Sequence, residues 1–398
     1  MRPGSAPKHQ TGTKAGFTVD LSPKEQVATD LRFMRMAMIL ARRGLGQVAP
    51  NPSVGCVLVD TTGERPVVVG RGWTQPGGRP HAETEAISRA GDKARAATAY
   101  VTLEPCAHTG KTGPCAQALI DAGVSRVVVA CTDEDPRVSG QGIAMLKNGG
   151  ISVLEGVLED EARDLNSGFF IRVTQGRPEV LLKIASTLDG KIATHTGKSH
   201  WITGETARER THLMRAQADA IMVGSATAIV DDPQLTCRLP GLSGRSPIRI
   251  VADGRLRLPL TSKLVRSAGE TPVIILTRED ADKDRARAFE EQGVDLIVVP
   301  LAADNQMNMA EALKLLAERG ITRVMVEGGA RLAASLLRDN LIDRIEWFQA
   351  PKIIGDDGYS AVAGLGLDDI DLDAGFERLA VTALGEDVLT SLRVRHEI

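Results

Sequence analysis

The chain has 398 residues with a formal net charge of −3 and an isoelectric point near 6.2. Its length predicts two or three domains at roughly 100–200 residues each, and its acidic balance disfavours a general nucleic-acid binder, which is usually basic. No apolar run reaches the roughly 18 residues that cross a membrane, and the N-terminus lacks the apolar segment of a signal peptide. We therefore expect a cytoplasmic protein that binds neither nucleic acid nor membranes.

Hydrophobic residues make up 42% of the chain but aromatic residues only 3%, so the cores must be aliphatic. Glycine, at 40 residues, is typical of an α/β protein with many tight turns. The odd number of cysteines disfavours a disulfide framework and favours buried thiols or metal ligands. These are Cys56, Cys106, Cys115, Cys131 and Cys237.

The first half begins with a polar segment, residues 1–28, that is predicted to be a disordered tail. A helix with apolar residues at helical spacing follows Asp30 and ends at Gly44. Strand and helix patterns then alternate, which predicts a mixed sheet covered by helices. The strands are VGCVLVD, PVVVGRG, AYVTLE, SRVVVACT and ISVLEGV, and the helices are HAETEAISRA, PCAQALIDAG and GQGIAMLKNGG.

The stretch EDEARDLNSGFFIRVTQG reads as one helix that ends before Arg177-Pro178, where we predict a domain boundary. A second alternating series follows and ends in a β-rich segment. Its strands are EVLLKIA, DAIMVG, IRIVAD, PVIILT, VDLIVV and RVMVEG, and its helices lie in ETARERTHLMRAQ, DKDRARAFEEQG, MAEALKLLAERG and ARLAASLLRDN. The prediction is therefore a tail (1–28), a first α/β domain (29–176) and a second α/β domain (177–398).

The sharpest motif of the first half is His81-Ala82-Glu83, followed by Pro105-Cys106 and later by Cys115. One imidazole and two thiolates are a common ligand set for catalytic zinc, which keeps a further position for water. A nearby carboxylate can carry protons without binding the metal. If the helix begins at His81, Glu85 shares its face better than Glu83. The alternative is that His81 caps a helix and both cysteines belong to the core.

These motifs resemble the zinc deaminases that act on pyrimidine and purine rings, whose signature is H-x-E followed by P-C-x-x-C. The eight residues AHTGKTGP between the two cysteines are similar to the riboflavin-pathway deaminases, apart from Gly113 in place of a proline. The resemblance implies a cytidine-deaminase-like α/β/α fold and zinc held by His81, Cys106 and Cys115. It implies that Glu83 is the catalytic proton shuttle. It also implies substrate contacts from Asn51, His108 and Lys111.

In the second half, a strand runs into Gly328-Gly329 and then into a helix. Such a junction offers free backbone N–H groups to a phosphate, but it is not the G-x-G-x-x-G fingerprint of a Rossmann domain. A similar junction lies in DAIMVGSATAIVDDPQLTCR, where Gly224 and Ser225 follow another strand. The alternative is that the segment after the strand is a loop with solvated aspartates.

The segments LKIASTLDGKIA, SHWITG, IRIVADGRLRLP and VEGGARLAASLL resemble the riboflavin-pathway reductase domain, which is similar to dihydrofolate reductase and uses NADPH. Ala226 is a mild departure from a glycine that is common there. The positions that match NADPH contacts are Ala185, Trp201, Thr227, Asp231, Gly329, Ala330, Arg331, Leu332, Ala333, Ala334 and Ser335. The positions that match substrate contacts are Lys183, Ser199, Arg215, Leu235, Arg238 and Glu327. Arg215 and Arg238 also suit phosphate, since a guanidinium binds it bidentately.

The resemblance implies a bifunctional enzyme of riboflavin biosynthesis with one zinc ion per chain. It would deaminate a diamino-pyrimidinone ribosylamine phosphate and then reduce the ribosyl group to ribityl with NADPH. It also implies a homo-oligomer, a dimer or tetramer, formed through the reductase domain. One alternative is a nucleic-acid base deaminase with a C-terminal binding module. The other is a scaffold with a structural zinc, which needs a fourth ligand such as His108.

Overall fold

The structure, a computed structural model, describes residues 22–108, 113–135, 138–199, 202–369 and 375–395. None of the helices in these ranges has the length and apolar character needed to cross a bilayer. The chain divides into two compact units. The first unit takes the described residues up to Ala41 with Val54–Trp73 and Pro80–Ala162, and the second takes Arg42–Ser53, Thr74–Arg79 and the residues from Arg163 onwards. The predicted domain limits stay a prediction.

The first unit is built on a five-stranded sheet with the strand order β2-β1-β3-β4-β5. The pairs of β1 with β2 and β3 are antiparallel, whereas β3, β4 and β5 are parallel. The elements are α1 (Pro23–Ala41), β1 (Gly55–Asp60), β2 (Val67–Trp73), α2 (Ala82–Ala90), β3 (Thr98–Val101), α3 (Cys115–Asp121), β4 (Arg126–Val129), α4 (Gln141–Asn148) and β5 (Ser152–Leu154).

Two glycines allow helices to lie close against this sheet. A Cβ at Gly55 would stand 2.0 Å from the carbonyl oxygen of Ala37 in α1, and one at Gly72 would stand 2.1 Å from that of Ala82 in α2. Any side chain at either position would therefore push a helix off the sheet. The close approach of α2 matters for function, because this helix begins immediately after His81.

Helix α1 begins at Pro23, so residues 23–28 are helical although they were predicted to belong to the disordered tail. The cause is a local cap: the Ser22 backbone N–H and hydroxyl both donate to the Glu25 carboxylate, at 2.9 and 2.6 Å. Pro23 suits the first helical position because its missing N–H is not needed there. The Ser-Pro-Lys-Glu sequence is a capping-box signature. Residues 1–21, the rest of the predicted tail, lie outside the described residues.

The predicted single helix before the boundary is wrong, because the structure has two helices, α5 (Glu159–Leu165) and α6 (Ser167–Gln175). Asn166 separates them with φ −103° and ψ 14°. Its side-chain oxygen accepts a hydrogen bond from the Ser53 backbone N–H at 2.8 Å. A contact 113 residues away in the sequence thus takes Asn166 out of the helical path, which apolar spacing alone does not reveal.

The second unit contains a nine-stranded sheet with the order β11-β10-β9-β8-β12-β6-β13-β16-β15, in which β16 and β15 are antiparallel to their neighbours. A small pair joins β7 and β14. The strands of the second unit are β6 (Glu179–Thr187), β7 (Lys191–Ala193), β8 (Ala220–Gly224), β9 (Ile248–Ala252), β10 (Val273–Arg278), β11 (Asp295–Val299), β12 (Arg323–Val326), β13 (Arg344–Ala350), β14 (Tyr359–Ser360), β15 (Phe376–Leu384) and β16 (Asp387–Val394).

Helices of the second unit cover both faces of this sheet. Along β8, Met222 belongs to one apolar cluster and Ile221 and Val223 to another, as alternation along a strand requires. The helices are α7 (Glu205–Gln217), α8 (Ser225–Asp231), α9 (Lys263–Arg266), α10 (Lys283–Glu291), α11 (Met309–Glu318) and α12 (Ala330–Arg338). Helix α8 follows Gly224 directly, so the alternative of a loop after this strand is wrong. Its seven residues leave Ile229 and Val230 exposed, so apolar spacing gives no helical signal.

Candidate functional site

His81, Cys106 and Cys115 form a tight group in the first unit, with one potential ligand atom each and all three atoms within 4.8 Å of one another. His81 is the N-cap of α2 and Cys115 is the first residue of α3, so two helix starts fix their positions. The His81 Nδ1 atom lies 3.2 Å from the Cys115 Sγ and 3.7 Å from the Cys106 Sγ. Within the described residues this group has three members, and His108 is not one of them.

The donor set and its spacing suit zinc. Ligand bonds of about 2.0–2.1 Å to nitrogen and about 2.3 Å to sulfur place tetrahedral N and S ligands about 3.6 Å apart. The observed separations of 3.2 and 3.7 Å bracket that value. A hydrogen bond from the Cys115 thiol lowers the pKa of the Cys106 thiol well below its usual value, which favours the thiolate, the form that binds metal.

The structure separates the two glutamates that the sequence left open as proton carriers. Helix α2 begins at Ala82, and Glu83 on its first turn is buried, with a side-chain hydrogen bond to Cys115. Burial, with the Cys106 sulfur beside it, raises the pKa of Glu83 to about 7. Glu85 instead forms an ion pair with Arg89 on the helix surface. Glu83 is therefore the acid beside the ligand group, and its catalytic role stays a prediction.

The predicted substrate contacts of the deaminase have different outcomes. Asn51 lies in the segment grouped with the second unit, where its amide donates weakly to the Val48 carbonyl oxygen at 3.4 Å. The Asn51 side chain also occupies the space that a Cβ on Gly78 would need. His108 is exposed, and Lys111 lies outside the described residues. The substrate roles of all three stay predictions.

In the second unit, four of the predicted substrate residues form one charged cluster. The Arg215 guanidinium donates to both oxygens of Glu327, at 2.6 and 2.8 Å, and to the Thr236 carbonyl oxygen at 3.0 Å. Burial and the neighbouring Arg215 lower the pKa of Lys183, and its ammonium group lies over the Phe348 ring at 5.6 Å. Burial and Arg215 also lower the pKa of Arg238.

The two arginines proposed as phosphate ligands differ. The fork of Arg215 is occupied by Glu327 and Thr236, whereas Arg238 is an exposed residue. The same cluster contains His212, which was not predicted from the sequence: its Nδ1 accepts from the Arg238 backbone N–H at 3.3 Å. The spacing of His212 and Arg215, three residues apart on α7, places them on one helix face and could have indicated this.

The other predicted substrate residues are less informative. Leu235 is buried in the apolar core with a positive φ of 56°, so its side chain serves packing. Ser199 is half-buried. Their substrate roles stay predictions.

Two glycine turns meet where β8 and β12, neighbouring parallel strands, lead into helices α8 and α12. The Gly224 backbone N–H donates to the Gly328 carbonyl oxygen at 3.0 Å. Gly328 has φ +103°, which requires glycine, and a Cβ on Gly329 would stand 3.0 Å from the Thr227 hydroxyl oxygen. In parallel sheets, the carboxyl ends of adjacent strands are where ligands bind. The free N–H groups at the start of the nine-residue α12 suit a phosphate.

The predicted NADPH positions from Gly329 to Ser335 are the N-cap and first two turns of α12. The side chains of Leu332, Ala333 and Ala334 belong to the core, so these positions can offer a ligand only backbone groups. Arg331 is exposed, and Ala330 and Ser335 are half-buried. Thr227 and Asp231 lie on α8, Ala185 packs beside Phe348, and Trp201 lies outside the described residues. Their cofactor roles stay predictions.

Two family profiles match the chain, one in each half. The profile of the cytidine and deoxycytidylate deaminase zinc-binding region matches residues 27–131. The profile of the RibD C-terminal domain matches residues 178–390. The first match contains the histidine and both cysteines of the ligand group, and the second contains the charged cluster and both glycine turns.

Full-length relatives contain both regions. The riboflavin biosynthesis protein RibD of Aquifex aeolicus is 42% identical over 360 residues, covering 90% of this chain and 97% of that protein. RibD of Escherichia coli is 39% identical over 374 residues, covering 91% and 99%. Acinetobacter baumannii RibD, form 1, matches with a TM-score of 0.82 at 36% identity, covering 93% and 100%. The deaminase/reductase of Thermotoga maritima matches with a TM-score of 0.80 at 36% identity, with the same coverage.

These matches confirm the predicted fold class, with a cytidine-deaminase-like α/β domain before an α/β reductase domain. They also confirm the main functional prediction over the nucleic-acid base deaminase. The chain belongs to the RibD family, whose members are bifunctional deaminase–reductase enzymes of riboflavin biosynthesis.

Proposed function

We propose that the first unit binds one Zn²⁺ per chain and deaminates a diamino-pyrimidinone ribosylamine phosphate, and that the second unit reduces the product with NADPH. One observation carries the deaminase proposal. Three potential ligand atoms lie within 4.8 Å of one another, with the buried Glu83 carboxyl next to them. His81, Cys106 and Cys115 would hold the metal.

Glu83 is the group that moves protons in the proposed deamination. Zinc, when bound, supplies a Lewis acid that makes water nucleophilic at neutral pH. Glu83 accepts a proton as water adds to the ring carbon that carries the amino group. It then delivers a proton to the leaving nitrogen, which departs as ammonia. A buried carboxyl whose pKa lies near 7 suits both steps, because it can gain and lose a proton at cellular pH.

The second unit binds and orients the cofactor and the substrate, and the hydride itself comes from the cofactor. NADPH, when bound, supplies the hydride that reduces C1′ of the ribosyl group, so that the sugar ring opens to a ribityl chain. The backbone N–H groups at the start of α12 would bind a cofactor phosphate. Thr227 lies beside this turn, and Asp231 on the same helix is our candidate proton donor.

The charged cluster would bind the substrate of the reductase. We assign the substrate phosphate to Arg238, because Arg215 already donates to Glu327 through two of its nitrogens. Lys183 and Glu327 would meet the polar edge of the pyrimidine, with Arg215 holding Glu327 in place. The substrate is thus a small phosphorylated pyrimidine.

The test follows both reactions in one sample of the full chain, before and after zinc is removed with a chelator and restored. Ammonia release and loss of NADPH absorbance are recorded with the ribosylamine substrate and, separately, with its deaminated product. We expect chelation to abolish ammonia release, restored zinc to recover it, and NADPH consumption from the deaminated product to remain unchanged. If the zinc-loaded protein releases ammonia from single-stranded nucleic acid instead, the substrate proposal is wrong. NADPH consumption that never occurs would remove the reductase assignment.

We also propose that the chain forms a homo-oligomer through the second unit. The outer strands β15 and β16 expose Leu379, Val381 and Val388, at 42%, 57% and 38% of their surface. An apolar edge of this kind favours pairing with a second copy. Light scattering that gives the monomer mass at working concentration would remove this proposal. The cytoplasmic location stays a prediction.

A further inference from the structure

Glu104 is a buried glutamate whose carboxylate is held entirely by backbone N–H groups among the described residues. One oxygen accepts from Gly142 and Ile143, at 2.8 and 3.2 Å. The other accepts from Gly140 and Asp133, at 3.0 and 3.2 Å. Glu104 as a whole is only 3% exposed. A carboxylate with four such bonds is fixed in position, because rotating it would break several of them at once.

Three of these donors belong to the start of α4. Gly140 is its N-cap, and Gly142 and Ile143 lie in its first turn, where N–H groups have no partner inside the helix. A local cap would come from a side chain at position 140, but glycine has none. The cap is supplied instead by Glu104, 36 residues earlier in the chain. The contact therefore ties the helix to a distant segment, which a local cap would not do.

The segment that Glu104 fixes is the one that carries Cys106. A Cβ on Gly142 would stand 1.8 Å from the Pro105 carbonyl oxygen, so α4 lies directly against the residue before the ligand. On the other side, the Cys106 carbonyl oxygen accepts from the Ala116 N–H of α3, at 3.2 Å. Two helices therefore hold Cys106 in position: α3 through the Cys106 carbonyl oxygen, and α4 through Glu104.

We propose that Glu104 is a positioning residue for the metal centre. It anchors the Cys106 segment to the N-terminus of α4 and thereby holds the Cys106 sulfur at ligand distance from His81 and Cys115, without touching metal or substrate. This inference rests on the proposed zinc site. It predicts that losing the anchor loosens the metal while the fold of the unit survives.

The test compares Glu104→Gln with Asp30→Asn in the full chain. Asp30 is a matched control: it is also a buried carboxylate of the first unit, 3% exposed, and accepts two bonds of 2.8 Å from Arg126 and one of 2.9 Å from Tyr100. Strands β3 and β4 are neighbours and run parallel. Arg126, the partner of Asp30, is the first residue of β4, whereas Glu104 comes after the last residue of β3, so the two carboxyl groups lie towards opposite ends of these strands. Both variants replace a buried carboxyl group with an amide, but only Glu104→Gln changes the group that anchors the Cys106 segment.

We expect Glu104→Gln to weaken zinc binding by about 10- to 100-fold in competition with a chelator. The thiolate-to-metal bands of the cobalt-substituted protein should change, while NADPH consumption from the deaminated product stays at the wild-type rate. Asp30→Asn should lower the melting temperature but keep the wild-type zinc affinity and cobalt spectrum. Gly142→Ala is the second variant, should Glu104→Gln not fold: it displaces α4 from Pro105 and should weaken zinc as well.

A Glu104→Gln or Gly142→Ala protein with wild-type zinc affinity and cobalt spectrum overturns the inference, whatever its melting temperature. Equal zinc loss in Asp30→Asn also overturns it, because the effect would then follow from general loosening. The wild-type metal content separates this failure from that of the proposed function. A wild-type chain that binds no zinc at this site removes both, whereas tight zinc in wild type and variant alike removes only the role of Glu104.

Discussion

Two glutamates with little solvent exposure, one in each unit, are held in opposite ways. Burial beside the Cys106 sulfur raises the pKa of Glu83 to about 7. Glu327 is bound through both oxygens by Arg215, and although burial opposes this, the ion pair lowers the pKa of Glu327 below its usual value. A buried carboxyl that titrates near neutrality can carry a proton, whereas one paired with a guanidinium stays an anion. Glu83 is therefore suited to proton transfer, whereas Glu327 is suited to holding a bound molecule in position.

The largest effect should come from Glu83→Gln, which keeps the shape of the side chain but removes the proton carrier. We expect deaminase activity to fall by about 10²- to 10⁴-fold, the usual contribution of a general acid–base group. Reductase activity on the deaminated product should be unchanged. The matched control is Glu85→Gln, two residues further along α2, where the glutamate pairs with Arg89 on the surface. If the two variants lose equal activity, Glu83 is not the proton carrier.

The contrasting substitution is Glu327→Gln, which should act on stability and binding rather than on proton transfer. It leaves the Arg215 charge, whose side chain is 11% exposed, without its counter-ion and next to Lys183. Breaking a buried pair of this kind costs about 3–5 kcal/mol. We expect the unfolding free energy of the second unit to fall by about that amount, measured by denaturant unfolding, with loss of reductase activity and intact ammonia release.

Glu209→Gln is the control for that variant, because Glu209 is an exposed glutamate on α7, the helix that carries Arg215. It should unfold like the wild type. If Glu327→Gln instead lowers the reductase kcat with unchanged stability and unchanged KM, Glu327 moves a proton and the contrast with Glu83 is lost.

The metal site of the first unit was more predictable from the sequence than the charged cluster of the second unit, for a physical reason. Its chemistry depends on rare residue types next to helix starts: His81 is the N-cap of α2, and Cys115 is the first residue of α3. The alternation of strands and helices was predictable too, because each buries an apolar face with its own period. Sequence spacing could not choose between Glu83 and Glu85, since that choice depends on where α2 begins.

The parts that sequence did not reveal depend on contacts between distant residues. Arg215 and Glu327 are 112 positions apart, and nothing in the sequence around either one marks the pair. The break at Asn166 depends on a hydrogen bond to Ser53, 113 positions away. The early start of α1 is different: the Ser22–Glu25 cap is local, but the polar composition around it suggested a tail.

Glu179, a buried acid of the second unit, makes the stability of that unit depend on pH. Burial alone would raise the pKa of Glu179, but Arg323 and Arg344 lower it to about 2. Its carboxylate binds Arg323 at 2.5 Å, Arg344 at 2.7 Å and the Ser167 hydroxyl at 2.7 Å. If ion pairing makes a buried acid a permanent anion, Glu179 should behave like Glu327 and unlike Glu83.

An unfolded glutamate has a pKa of about 4.3, so the folded state binds this proton less tightly than the unfolded state. The stability that Glu179 contributes is therefore complete above about pH 5 and is lost as the pH falls towards 2. At about 1.4 kcal/mol per pKa unit, it is on the order of 3 kcal/mol. The unfolding free energy of the second unit, compared between wild type and Glu179→Gln, should differ by this amount at pH 7 and converge near pH 2. A difference that is constant with pH would mean that packing, rather than the ion pair, makes Glu179 stabilising.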